Sequence, residues 1–204
     1  MIEIRPAQLQ DVPAIKRLTL ASADLGIPAN RDISNEAVRA GALEHLEGLD
    51  RLIYRRRQAA VLVAVDNARA GEVVGFLILE FNQVEETTGE SQSFIYNMAV
   101  EPEYYGKYVG HKLVWEAAKV SHQHGFRYMT SRVTASNERA LLSAIKLGFE
   151  IERYQLTLAC GPEGRVPMPG RPMSERGHAV SRLLRKRKHG KQRDSQNQPS
   201  GEQL

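Results

Sequence analysis

The chain has 204 residues, 42% of them hydrophobic, enough for one domain of ordinary size with a substantial core and an appendage. Its formal charge of +4 is uneven: residues 161–204 hold ten Lys or Arg against four Asp or Glu, a net +6, which leaves residues 1–160 at −2. The single cysteine, Cys160, excludes an internal disulfide, and no run approaches ~18 apolar residues, which excludes a spanning helix.

Residues 1–6 lack the basic and apolar regions of a secretory signal, so a cytoplasmic protein is expected. Residues 2–5 alternate apolar and polar and read as a strand. Asp11, followed by Val12 and Pro13, is an N-cap and early-proline pattern opening a helix to about residue 20. Leu25, Gly26, Ile27 and Pro28 break it, and a second helix is expected over 34–46. Arg55, Arg56 and Arg57 lead into an apolar run over 59–65. A turn from Asp66 to Gly71 joins it to another run over 73–81, a hairpin pattern. Residues 82–91, with Glu85, Glu86 and Glu90, read as an exposed acidic connection.

A strand over 94–100 follows, then a helix over 108–124 with Val109, Leu113, Ala117 and Val120 on one face. Gly125 and Phe126 suit the C-cap of that helix. A strand over 128–134 precedes Ser136 and Asn137, an N-cap signal for a helix over 138–147, and residues 149–158 read as a final strand. The order β-α-α-β-β-β-α-β-α-β implies an α/β fold, a mixed sheet with helices packed on it. Residues 1–160 are expected to form the domain and 161–204 a disordered basic tail. The charge block over 181–191 reads as solvated, or more sharply as a contact for RNA, the ribosome or another anionic surface.

The stretch from Val100 through Glu101, Pro102, Tyr105, Gly106, Lys107, Tyr108 and Val109 to Gly110 is a strand end, a turn and a helix start. That order presents unpaired backbone N–H groups at the positive end of a helix dipole, a cradle for a diphosphate. It lacks the Lys-Ser/Thr pair of a P-loop. On these residues the chain resembles the GNAT superfamily of acetyl-CoA-dependent N-acetyltransferases. Ile4, Arg5, Pro6, Ala7 and Asp11 resemble the family's first strand and helix start. Val100, Pro102 and residues 105–110 resemble its acyl-CoA diphosphate motif. Ser136, Asn137, Glu138, Arg139 and Ala140, closing in Leu147, Gly148 and Phe149, resemble its second motif.

The resemblance, over roughly residues 2–158, implies a GNAT-like fold: a central, mostly antiparallel, splayed sheet flanked by helices. It implies acetyl-CoA as cosubstrate without a metal, and transfer to a primary amine such as a protein N-terminus or lysine. Contacts to acetyl-CoA are expected from Met98, Ala99, Val100, Tyr105, Gly106, Lys107, Tyr108, Val109, Gly110 and Asn137. A backbone N–H near residues 98–100 would polarise the thioester carbonyl.

Some residues depart from the family pattern. Tyr105 stands where Arg or Gln is usual. Tyr108 stands at the first motif glycine, where ordinary helical angles are expected. Ala144 occupies the place of a frequent Tyr acid, and Ser143 lies about 100° around the helix from it. Phe94 and Arg132 hold the usual base positions and cannot accept a proton. A base acting through water is needed because an ammonium has no lone pair, and Glu80 and Glu90 are the candidates. Tyr96 and Asn97 are expected on opposite faces of their strand. The rival reading is a catalytically weak CoA-binding, or RNA- or ribosome-associated, protein of the same fold.

Overall fold

Five strands form one sheet in the order β1-β2-β3-β4-β5, in a computed structural model that describes residues 1–54 and 57–157. The strands are β1 Ile2–Pro6, β2 Ala59–Asp66, β3 Glu72–Val84, β4 Ser91–Val100 and β5 Met129–Ser131. The helices are α1 Val12–Ser22, α2 Asn35–Glu44, α3 Leu49–Tyr54, α4 Val109–Gln123 and α5 Glu138–Lys146. Neighbouring strands are antiparallel except β4 and β5, which run parallel. The compact unit spans Met1–Glu152, and residues 153–157 belong to a separate unit. The expected basic tail and its RNA contact lie outside the described residues. No helix among the described residues is long and apolar enough to cross a membrane.

β2 and β3 are covered on both faces, so their sequences run nearly continuously apolar instead of alternating. On one face Val61, Val63, Phe76 and Ile78 pack with Ile15 and Leu18 of α1 and with Leu46 and Leu49. On the other, Leu62, Ala64, Leu77 and Leu79 pack with Val109, Leu113 and Ala117 of α4. α4 comes close to the sheet over Gly75. A Cβ there would lie 3.2 Å from the Ala99 carbonyl oxygen and 3.3 Å from Leu113 Cδ1.

Several local expectations hold for stated reasons. Ser34 caps α2 by accepting from the Ala37 N–H at 3.2 Å. Gly125, at φ +85°, ends α4 in a Schellman turn, with Gly125 N–H donating to His122 at 2.9 Å and Phe126 N–H to Ser121 at 3.1 Å. Gly148, at φ +95°, does the same for α5, and Phe126 and Phe149 both pack against the core.

Other expectations change. Asp11 precedes α1 but caps none of it. Its buried carboxylate accepts from the Gln8 N–H at 2.8 Å and from both Arg5 guanidinium nitrogens at 2.7 and 2.9 Å. Burial pushes its pKa up, and the Arg5 bonds with the Gln8 N–H outweigh that and hold it low. α3 is an added helix, entered through Gly48 at φ +79°. β3 extends to Val84 and pairs with β4 across Gln83 and Gln92, so the connection shrinks to residues 85–90. The strand expected over 128–134 is only Met129–Ser131. Residues 149–157 form no strand, and Leu158 is outside the described residues. Tyr154 and Leu156 are 56% and 91% exposed.

Candidate active site

β4 pairs with β5 only through Ser93, Phe94 and Ile95, opposite Met129, Thr130 and Ser131. The pairing stops at Ile95, and among the described residues nothing pairs with 96–100 on that edge. A β-bulge lies at the same point of β4. Across β3, Ile78 faces Asn97 and Leu79 faces Ile95, so Tyr96 is one residue too many. Accordingly Tyr96 and Ala99, three apart, join the same core, while Ile95 and Val100 join the other. Asn97, two residues from Ala99 in regular pairing, shares that face with Tyr96. The two side chains are therefore not opposed as the strand alternation predicts.

The bulge also resets the backbone. Glu101 N–H donates to the Val74 carbonyl at 2.9 Å, so by alternation Ala99 and Asn97 turn their amides toward β3. Met98 and Val100 turn theirs to the free edge. Ala99 presents neither side chain nor amide there, since its side chain lies in the core.

Past β4, Pro102 opens one short helical turn, and Tyr104 to Lys107 make a second turn, closed by Lys107 N–H donating to the Tyr104 carbonyl at 3.2 Å. Tyr105 (φ −62°, ψ 138°) and Gly106 (φ +77°) give it type II geometry, which needs a positive φ at Gly106. Tyr108 then adopts φ +61°, ψ 14° as the N-cap of α4, left-handed where helical angles are expected. The chain reverses into α4 at this point, and left-handed residues between right-handed ones turn successive N–H groups to one side. In a residue with a Cβ that conformation costs roughly 1–2 kcal/mol.

The N–H groups of Tyr105 and Lys107 are spent inside the loop, on the Pro102 and Tyr104 carbonyls. Among the described residues, those of Gly106, Tyr108, Val109, Gly110 and His111 meet no acceptor, and the first bond into α4 is Lys112 N–H to Tyr108. Five free donors thus gather at the start of a 15-residue helix whose dipole adds positive potential. The Tyr108 ring stands in solvent, 71% exposed and edge-on to His111.

Two ties hold this loop. Beneath it, the buried Tyr104 hydroxyl donates to Asp66 Oδ2 at 2.7 Å, and Asp66 Oδ1 accepts from the Ala68 N–H at 3.0 Å. The Tyr104 bond, then the Ala68 N–H, hold the Asp66 carboxyl below its usual range, and the same bond raises the Tyr104 phenol. At its outer side the Arg139 guanidinium of α5 lies 4.3 Å from the centre of the Tyr105 ring. Asn137 caps α5 by accepting from the Ala140 N–H at 3.2 Å, which leaves its side-chain NH₂ donors free of that bond.

On the face of Tyr96, Glu80 follows Ile78 at strand spacing and pairs across with Phe94. Burial first and the Glu80 charge second raise the Tyr96 phenol, so the carboxylate acts on that hydroxyl and Tyr96 stays a neutral donor. Gln83 donates to Glu80 Oε2 at 3.0 Å, and the His45 ring lies 6.2 Å from that of Tyr96. Glu90 is elsewhere. It ion-pairs with Arg127 at 3.7 Å and precedes Tyr96 by six residues, about 20 Å of strand. Arg132 lies 5.3 Å from the Phe94 ring, so the two residues at the usual base positions occupy each other. Ala144 offers only its carbonyl, taken by Phe149 N–H, and Ser143 is exposed. Sequence reading passed over His45 and the Asp66–Tyr104 tie, because both depend on contacts between distant segments.

A strand edge left open beside a helix that begins in unpaired amides is the arrangement an acyl-CoA-dependent acyltransferase uses, and the groups present fit the coenzyme's diphosphate. Residues 29–149 match the model of the acetyltransferase (GNAT) family, and the chain belongs to that family. Acetyl transfer from acetyl-CoA is its reaction class. No curated protein matches the chain.

Among solved structures, the PaiA N-acetyltransferase of Thermoplasma acidophilum, in complex with coenzyme A, is 22% identical with a TM-score of 0.62; the match covers 76% of this chain and 93% of that one. The aminoglycoside 6′-N-acetyltransferase of Acinetobacter baumannii is 17% identical with a TM-score of 0.57, covering 78% and 97%. An acetyltransferase of Trypanosoma brucei is 21% identical with a TM-score of 0.53, covering 78% and 99%. At these identities the likeness is one of fold: a mixed sheet, mostly antiparallel and splayed, flanked by helices.

Proposed function

We propose that residues 1–160 act as an N-acetyltransferase that moves acetyl from acetyl-CoA to a primary amine on a protein N-terminus or lysine. The observation that carries this reading is the set of free amides at Gly106 and residues 108–111, next to the open edge of β4. Gly106, Tyr108, Val109 and Gly110 receive the diphosphate through their N–H groups, and Asn137 contacts the pantetheine arm. Met98 or Val100 donates its N–H to the thioester carbonyl, where negative charge develops.

The amine must lose a proton before it attacks. Glu80 takes it through a water beside Tyr96, whose neutral hydroxyl orders that water. A C–N bond forms, the C–S bond breaks, and the departing thiolate takes its proton from solvent, since Ala144 supplies none. Glu90, ion-paired at the hairpin tip, has no part in this path.

A CoA-binding protein with weak catalysis is the second reading, favoured by the Phe94–Arg132 pair and by Ala144. The deciding experiment offers acetyl-CoA with peptides bearing free N-termini, lysine peptides, polyamines and aminoglycosides, and follows thiol release and product mass. Thiol release with peptides is expected. Release with small amines alone would reassign the acceptor. CoA binding without release from any acceptor would favour the second reading.

A further inference from the structure

A diphosphate brings two negative charges, and backbone amides neutralise neither, so the charge around the cradle is a separate question from its geometry. Most cations near the turn are engaged. Arg69 pairs with Glu103 at 3.0 Å and Glu72 at 3.8 Å, and Arg17 pairs with Glu101. Lys112 Nζ donates to the Ile2 carbonyl at 3.2 Å, and Lys107 Nζ lies over the Tyr104 ring, 4.9 Å from its centre. Tyr105 itself is uncharged.

Arg139 differs from all of these. It is exposed and, among the described residues, has no carboxylate partner. Its guanidinium lies against the ring of Tyr105, one residue before the first free amide of the turn. A guanidinium held over a ring still has N–H donors free for a bidentate anion. Its position in α5 is also unfavourable for the helix alone. As the second residue of α5 it puts a cation at the positive end of the dipole, where an acid is preferred. A bound anion removes that penalty.

We propose that Arg139 is a binding residue for the CoA diphosphate, held over the cradle by stacking on Tyr105 and supplying from α5 the cation that the turn lacks. The proposal rests on the acetyl-CoA reading of the site. Calorimetric titration of the full chain with CoA and with 3′-dephospho-CoA tests it. Arg139→Gln is expected to weaken both ligands about 10- to 100-fold, as for one charged contact, and to flatten the salt dependence of binding. Adding Tyr105→Arg to R139Q is expected to restore most of the affinity by returning a cation to the turn.

R139Q binding CoA like the wild type would overturn the proposal. So would a loss seen with CoA but not with dephospho-CoA, which would put Arg139 on the 3′-phosphate. Arg139 is exposed, and far-UV circular dichroism of R139Q checks that α5 is intact; the milder Arg139→Lys, which keeps the charge and loses the planar stack, is expected to fall between the two. A wild-type chain that binds no CoA would refute the site reading itself, a result distinct from a variant that binds normally.

Discussion

The two ends of β4 use different materials. Past its C-terminal end the unpaired groups are main-chain amides, fixed by a type II turn, a left-handed Tyr108 and the buried Tyr104–Asp66 bond. At its N-terminal end the chemistry falls to side chains: Glu80 beside Tyr96, an Arg132–Phe94 stack, and an ion pair that occupies Glu90. A cradle made of amides tolerates a tyrosine at position 108 because any non-proline residue there supplies the same N–H. A site made of side chains changes its chemistry with each replacement. On the proposed reading, the coenzyme end depends mainly on backbone shape, with Arg139 as its one side-chain cation, and the acceptor end on a few individual groups.

The sharpest way to break this contrast is at Glu80. Glu80→Gln is expected to lower kcat by ~10²- to 10⁴-fold while leaving the calorimetric CoA affinity unchanged. A kcat within twofold of wild type would move the base elsewhere.

Asp66→Asn tests the other end through pH. The folded state holds this carboxyl low, so its ionised form adds stability above the ordinary value of about 3.9, and that contribution disappears as pH falls through the lower folded value. Melting curves from pH 7 to pH 3 should show the wild type losing more stability over the acid limb than D66N. Parallel curves would exclude the tie.

Tyr108→Gly decides the sign of the strain. Relief of the left-handed penalty, partly offset by glycine's unfolded-state entropy, should stabilise the protein by about 1 kcal/mol. A residue with helical angles would instead lose about that much. The smallest effect is expected at Glu90→Gln, where an exposed pair is worth ~0–1 kcal/mol, and kcat should not change.

Features set by neighbouring residues were legible in the sequence. Gly125 with Phe126, Gly148 with Phe149, and Asn137 as a cap work through bonds spanning a few residues, so their local pattern was sufficient. The turn at Gly106 was legible for the same reason. Features set by partners were not. The bulge at Tyr96 exists only in register with β3, and it reverses which face Asn97 shows. Tyr108's φ follows from the path into α4, against its own preference. α3 is a six-residue helix whose Leu49, Leu52 and Ile53 show less than two turns of periodicity. The stretch over 149–157 has strand-like alternation, yet none of these residues forms a strand.

One surplus residue in β4 has a disproportionate effect. If Tyr96 were deleted, the pairing with β3 would run unbroken, and nothing in β4 would stop β5 from zipping on past Ile95. The slot would then close into ordinary sheet. On the proposed reading, the doorway for the thioester lies beside a one-residue misfit between two strands, and a mutation that lets them realign is expected to reshape it without touching a single group that does chemistry.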